Sequence, residues 1–182
     1  MVIGLTVLGL TIAAMAIAAI LWSAAFPERR VWPPERYTKI TPLIVWTPTY
    51  ALFGVLIALG VLGWGDVSLP DWMRYGIGAT LIVLGNIAVW SEVMKFGLAQ
   101  TGGAPGTLRT EGLYRYSRNP QYLADAGIIT GWSLLAAAPW AFVVAGPAII
   151  ALLAAPFAEE HWLRERYGAA FDAYAARVPR FL

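Results

Sequence analysis

The chain has 182 residues, of which 59% are hydrophobic and 13% charged, and it holds no cysteine. A soluble domain carries about 45–50% apolar and about 25% charged residues. At 19.7 kDa the chain has too little interior to hide that surplus, so the excess apolar surface faces lipid. Disordered, collagen-like and disulfide-stapled chains are excluded, a net charge of +2 gives little pull on nucleic acid, and a single histidine, His161, excludes a multi-histidine metal centre.

About 20 apolar residues cross the hydrocarbon core of a bilayer. Five segments approach or reach that length: roughly Val2–Phe26, Leu43–Trp64, Trp72–Met94, Gln121–Ala138 and Trp140–Phe157. The first lacks an Arg or Lys n-region and is too long for a secretory h-region, so it reads as a retained span, although Ser23-Ala24-Ala25 faintly resembles a cleavage site. The last two are split by Pro139 and form a helical hairpin. Gly60, Gly63, Gly76, Gly78 and Gly85 supply small residues for close helix approach. Beyond Phe157 the spacing predicts a C-terminal amphipathic helix, with Glu159, Leu163, Tyr167, Phe171 and Tyr174 on one face.

The basic residues orient these spans. None precedes the first span; Arg29, Arg30, Arg36 and Lys39 follow it. Only Arg74 lies between the second and third. Lys95, Arg109, Arg115 and Arg118 follow the third, none lies at the Pro139 turn, and Arg164, Arg166, Arg177 and Arg180 close the chain. This alternation predicts five spans with the N-terminus outside and the C-terminus cytoplasmic. The fold expected is all-α and integral to the membrane, a single domain over 1–182. Residues 1–96 hold the first three spans, and 97–182 hold a cytoplasmic loop, the hairpin and the C-terminal helix.

Chemistry has few places to sit. In the loop 97–119, Gly102, Gly103 and Gly106 read as turn residues, and Arg115 and Arg118 as headgroup anchors. Asn119-Pro120 reads as a helix N-cap followed by proline at the first helical position. The same helix start offers backbone N–H groups at Gln121 and Tyr122 to an anion. Glu160 is four residues before Arg164, the order of a surface ion pair. Glu159 faces the apolar stripe and needs a partner, as does Asp125, one turn inside the fourth span; an interfacial pair with Arg118 or Lys95 is one candidate for Asp125. Glu92 is three residues before Lys95 and can pair with it. By the expected topology these carboxylates and the arginine-bearing loop converge at the cytoplasmic leaflet. His161 beside them reads as surface.

Gly112-Leu-Tyr114-Arg-Tyr-Ser-Arg118-Asn119-Pro120-Gln-Tyr122 resembles the Gly-x-Tyr…Arg-His/Asn-Pro-x-Tyr motif of an integral membrane methyltransferase superfamily. That superfamily includes isoprenylcysteine carboxyl methyltransferases and phospholipid N-methyltransferases. The second half of the pattern follows in order: Glu159-Glu160, Leu163, Tyr167-Gly168, Phe171, Tyr174 and Val178-Pro179-Arg180. The resemblance covers roughly 98–182. It implies S-adenosylmethionine (SAM) as cofactor, with contacts from Gly106, Thr107, Leu108, Arg109, Tyr114, Asn119, Pro120, Gln121, Tyr122, Glu159 and Glu160, and Arg118 toward the substrate. It implies a lipophilic or lipid-attached acceptor taken from the membrane, and neither metal nor nucleic acid.

The resemblance departs from the pattern in both directions. Asn119 stands where isoprenylcysteine enzymes usually have His, and Leu152–Ala158 lacks the arginine that carboxyl methyltransferases place before the Glu pair, whereas the closing Val178-Pro179-Arg180-Phe181 resembles that group. The expectation is an isoprenylcysteine carboxyl methyltransferase-like enzyme, with a phosphatidylethanolamine-type N-methyltransferase as the alternative. An amine acceptor must first lose a proton, and Glu159, Asp125 or Glu92 is the candidate base. Two other readings remain: an NADPH-dependent sterol-reductase-like enzyme, and a non-enzymatic small membrane protein.

Overall fold

The computed structural model describes residues 1–101, 104 and 106–182, and the side chains of all of these except 96 and 98–101; Gly102 and Gly103 lie outside the described residues. The long elements are α1 (Val2–Ala25), α2 (Thr41–Leu62), a π-helical segment (Trp72–Gly78) that runs into α3 (Ala79–Thr101), α4 (Pro120–Ala136), α5 (Pro139–Tyr167) and α6 (Ala169–Ala175). Short 3-10 turns occupy Pro27–Arg29 and Gly112–Arg115, and there is no strand among the described residues. The chain is an all-α protein.

Four helical stretches are long and apolar enough to cross a membrane: Val2–Ala25, Thr41–Leu62, Trp72–Lys95 and Pro139–Tyr167. The fourth expected span is α4, which has 17 residues and so rises only about 25 Å. It stops at Ala136 because Ala137 turns left-handed (φ 49°) and Pro139 opens α5. The fifth expected span does not end at Phe157. α5 runs unbroken through Pro147 and Pro156 to Tyr167, so Glu159 and Glu160 lie inside a continuous helix.

α5 is the centre of the bundle, packed against α1, α2 and α4, while α4 pairs with α3. Val144, Ala145 and Ala148 of α5 pack with Val55, Leu56 and Leu59 of α2 and Ile129 of α4. The α3–α4 approach depends on missing side chains. A Cβ on Gly131 would sit 2.6 Å from the Gly78 carbonyl oxygen, and one on Gly85 would sit 2.8 Å from that of Ala124. Where apolar burial gives helices no preference for each other over lipid, this backbone proximity holds them together.

At the α4–α5 turn the last carbonyls of α4, which a helix leaves without internal partners, are taken from outside. Arg74 donates Nε and Nη2 to Leu135 C=O at 3.2 and 3.1 Å. The N–H groups of Gly65 and Val67 take Ala136 and Ala137 C=O, each at 2.8 Å. Arg74, the one basic residue between α2 and α3, is therefore a helix cap.

The C-terminal amphipathic stripe is realised in two pieces. Gly168 (φ 51°) ends α5 and turns the chain back, so α6 and the tail fold over the loop before α4. Phe171 and Tyr174 are buried by that return.

Candidate functional site

Glu159 and Glu160 are neighbours on α5 and are held by opposite kinds of partner. Glu160 is 6% exposed and receives Arg180 through both oxygens, Nε to Oε1 at 2.7 Å and Nη2 to Oε2 at 2.8 Å. Arg118 Nη1 adds a third contact at 3.1 Å. The Glu160 carboxylate in turn holds the Arg180 guanidinium above its usual pKa. The expected local pair with Arg164 is not formed; with the chain turned at Gly168, Arg164 instead meets Asp172 of α6 at 3.0 Å. Among the described residues Glu159 takes only neutral donors: the Tyr122 hydroxyl and, at 2.6 Å, the Trp32 indole N–H. Both reach the same oxygen, Oε1.

Asn119 does not cap α4 with its side chain. Its Nδ2 donates to Arg180 C=O at 2.9 Å, and Ser117 Oγ donates to the same carbonyl at 3.2 Å. Arg118 N–H donates to Pro179 C=O at 2.9 Å. The tail thus holds the Asn119 amide through its nitrogen, and with no side-chain cap formed by its oxygen the first-turn N–H groups at Gln121 and Tyr122 are left uncapped. Two more bonds bind the tail side to the loop: Tyr174 OH to Tyr114 C=O and Tyr167 OH to Gly106 C=O, each at 2.7 Å. Burial pushes the Tyr174 hydroxyl up to about 12. Tyr114 is raised further, by burial first and then by the charges of Glu159 and Glu92.

Glu92 is fully buried at the end of the third span. Its Oε1 receives Lys95 Nζ at 3.1 Å, as the spacing predicts, and Leu113 N–H at 3.4 Å. The backbone meets this carboxylate at Gly112, whose left-handed φ of 62° and missing Cβ both matter: a Cβ there would lie 2.9 Å from Glu92 Oε1. Glu92, Lys95 and the run 107–112 line a half-open cleft of about 420 Å³, so Thr107, Leu108 and Arg109 stand on its wall.

Most of the residues singled out in the sequence therefore gather at one end of the bundle. Pro120 is buried at the start of α4, and Tyr114 OH reaches Gln121 Oε1 at 3.4 Å. Asp125 is the exception. It lies one turn along α4 from Tyr122, and among the described residues neither Arg118 nor Lys95 pairs with it, both being engaged by glutamates. Arg118, expected toward substrate, is 13% exposed and committed to Glu160. Contributors not marked as site residues are Trp32, Ser117, Tyr167, Tyr174 and Arg180. All but Trp32 lie within the two halves of the sequence pattern; nothing local to Trp32 announces a contact 127 residues away.

The buried polar atoms of the site without a hydrogen-bond partner among the described residues include the donors Gln121 Nε2 and Arg118 Nε and the acceptor Glu92 Oε2. A ligand with acceptors on one side and a cationic or hydroxyl donor on the other fits that set. The phospholipid methyltransferase family model matches residues 73–170, more than half of the chain. No curated protein and no solved structure matches it.

Proposed function

The chain belongs to the phospholipid methyltransferase family, and we propose that it transfers a methyl group from SAM to a lipophilic acceptor at the cytoplasmic leaflet. The observation that carries this reading is the joining of Tyr122 to Glu159 and of Arg118 to Glu160, which makes one site from the two halves of the sequence pattern. In this reading the protein has five spans, α4 being a short one, with the N-terminus outside. The four basic residues of each of the first and third loops and of the tail then face the cytoplasm.

The residues proposed to hold SAM are Gly106 to Arg109 along the cleft, Tyr114, Asn119 to Tyr122 and Glu159. The uncapped N-terminus of α4 suits a carboxylate, and a carboxylate wall with tyrosine faces suits a sulfonium or ammonium. Glu160, neutralised by two arginines, is assigned to holding the motif loop, which leaves Glu159 as the ligand-binding carboxylate. When bound, SAM supplies a methyl group on a positively charged sulfur that leaves as a neutral thioether. The chain's task is then alignment and exclusion of water.

For the acceptor we favour a lipid amine, which is compatible with a phospholipid methyltransferase family. Asp125 is a carboxylate inside the expected fourth span, without a basic partner among the described residues, suited to hold an ammonium and accept its proton before the nitrogen lone pair attacks. Glu92 and Glu159 are the other candidate bases. The isoprenylcysteine carboxylate reading rests on the Val178–Arg180 segment docked on the motif loop; the arginine expected toward the substrate, Arg118, is held by Glu160. The test is calorimetric binding of SAM and of its demethylated product to the protein in nanodiscs, followed by labelled SAM with native membranes. Binding and label in an aminolipid fraction are expected. Label in a peptide-linked ester selects the carboxylate reading, and no binding of either compound overturns the function.

A further inference from the structure

The first loop lies outside the matched segment 73–170, yet it delivers a side chain to the site. We propose that Trp32 is a positioning residue: its indole N–H fixes Oε1 of Glu159 so that Oε2 is presented to the bound ligand. The inference rests on the reading of Glu159 as the cofactor's carboxylate.

The indole is seated rather than incidental. Ser23, 1% exposed near the end of α1, accepts the N–H groups of Val31 and Trp32 at 2.9 Å each, while its own hydroxyl donates to Ala19 C=O at 2.7 Å. One hydroxyl thus satisfies two backbone donors at the point where the chain turns toward α5. On the other side of the turn, Arg30 Nη1 binds Pro27 C=O at 3.2 Å and Glu165 Oε2 at 3.0 Å, tying the loop to α5 about one and a half turns beyond Glu159. Two attachments on α1 and α5 therefore define where the ring of Trp32 can lie.

The chemistry of the donor matters as much as its place. Glu160, one residue on, is held by two guanidinium groups that cancel its charge. Glu159 is held by an indole and a phenol, both neutral, and both on Oε1. Among the described residues no hydrogen bond reaches Oε2. A carboxylate restrained by neutral donors has no fixed cation against it among the described residues and presents a defined free oxygen, which a cation or a pair of hydroxyls on a ligand can use.

The test is a double-mutant cycle on SAM binding, by calorimetry in nanodiscs, with Trp32→Phe, Glu159→Gln and the pair, each checked for its unfolding temperature. Trp32→Phe is expected to weaken SAM binding about tenfold. The pair is expected to bind no more weakly than Glu159→Gln alone, because Trp32 acts through that carboxylate. With active protein, Trp32→Phe raises KM for SAM and leaves kcat near wild type. Wild-type affinity in Trp32→Phe, or losses that add in the pair, overturns the inference while leaving the functional reading intact. A wild-type protein that binds no SAM overturns the functional reading, and this one with it. If Trp32→Phe does not fold, Ser23→Ala replaces it: a smaller loss that vanishes in the Glu159→Gln background supports the inference, and unchanged affinity overturns it.

Discussion

Arg180 grips Glu160 with its guanidinium and Asn119 with its carbonyl, so one residue near the C-terminus ties α5 to the loop before α4. Its guanidinium also lies 4.1 Å from the centre of the Phe157 ring. Removing one partner of a buried pair costs about 3–5 kcal/mol; with Arg180 32% exposed and Arg118 still beside Glu160, Arg180→Ala is expected to cost about 2 kcal/mol. Arg180→Lys restores only part, since an ammonium cannot reproduce the two-pronged contact. The exposed Arg164–Asp172 pair is the control: Arg164→Ala should cost under about 0.5 kcal/mol. Denaturation midpoints in mild detergent give the ordering, and equal losses at the two arginines would contradict the role given to Arg180.

Two glycines should respond oppositely to alanine. Gly112 has φ 62°, and its Cβ would press on Glu92 Oε1, so Gly112→Ala combines left-handed strain of about 1–2 kcal/mol with displacement of a buried carboxylate. Gly127, inside α4, has nothing within 4 Å of its Cβ position. Gly127→Ala is expected to be neutral or to stabilise by up to about 1 kcal/mol. Thermal unfolding of the two variants side by side checks the sign of each.

Tyr174 gives a pH dependence. Its folded value is raised to about 12, chiefly by burial, and its hydroxyl donates to Tyr114 C=O. The neutral form is therefore the one folding favours. Its stabilisation is fully present below about 10, where the unfolded tyrosine is protonated, and is lost as pH rises from there through about 12. The unfolding temperature of wild type should fall toward that of Tyr174→Phe across this window, with a constant gap below it. A gap that widens as pH rises would sink the assignment.

How legible all this was in the sequence depended on the range of the interaction. The Glu92–Lys95 pair follows from three-residue spacing, and the Pro139 break from a single residue's chemistry. The pairing of Glu160 was misplaced because Arg164 sits at helical spacing while the true partners, Arg118 and Arg180, are distant in sequence. Only the turn at Gly168, whose φ is left-handed, decides between them. Asn119 departs from expectation for a related reason: an Asn before a Pro is a good cap, but its side chain is oriented by the Nδ2 bond to a carbonyl of the returning tail and makes no cap. Trp32 had no local pattern, since its position is set by a serine hydroxyl on α1 and an ion pair to α5.

The acceptor is decided most directly at Asp125. It shares a face of α4 with Tyr122, one turn away, and Tyr122 is bound to Glu159; neither Lys95 nor Arg118 is free to neutralise it. An unpaired carboxylate at that depth is costly, and replacing it by an isosteric amide should leave the fold as stable or more so. If Asp125 holds the acceptor's ammonium and takes its proton, Asp125→Asn keeps SAM affinity within about twofold yet lowers kcat/KM for an aminolipid by about a hundredfold or more. The two readouts separate the roles, because a residue that only shaped the cofactor cleft would change both together. Methyl transfer to an aminolipid that proceeds at the wild-type rate in Asp125→Asn removes Asp125 from the chemistry and returns the proton to Glu92 or Glu159. Product recovered as a base-labile ester, with the variant again at full rate, means that the acceptor is a carboxylate and that no base was needed.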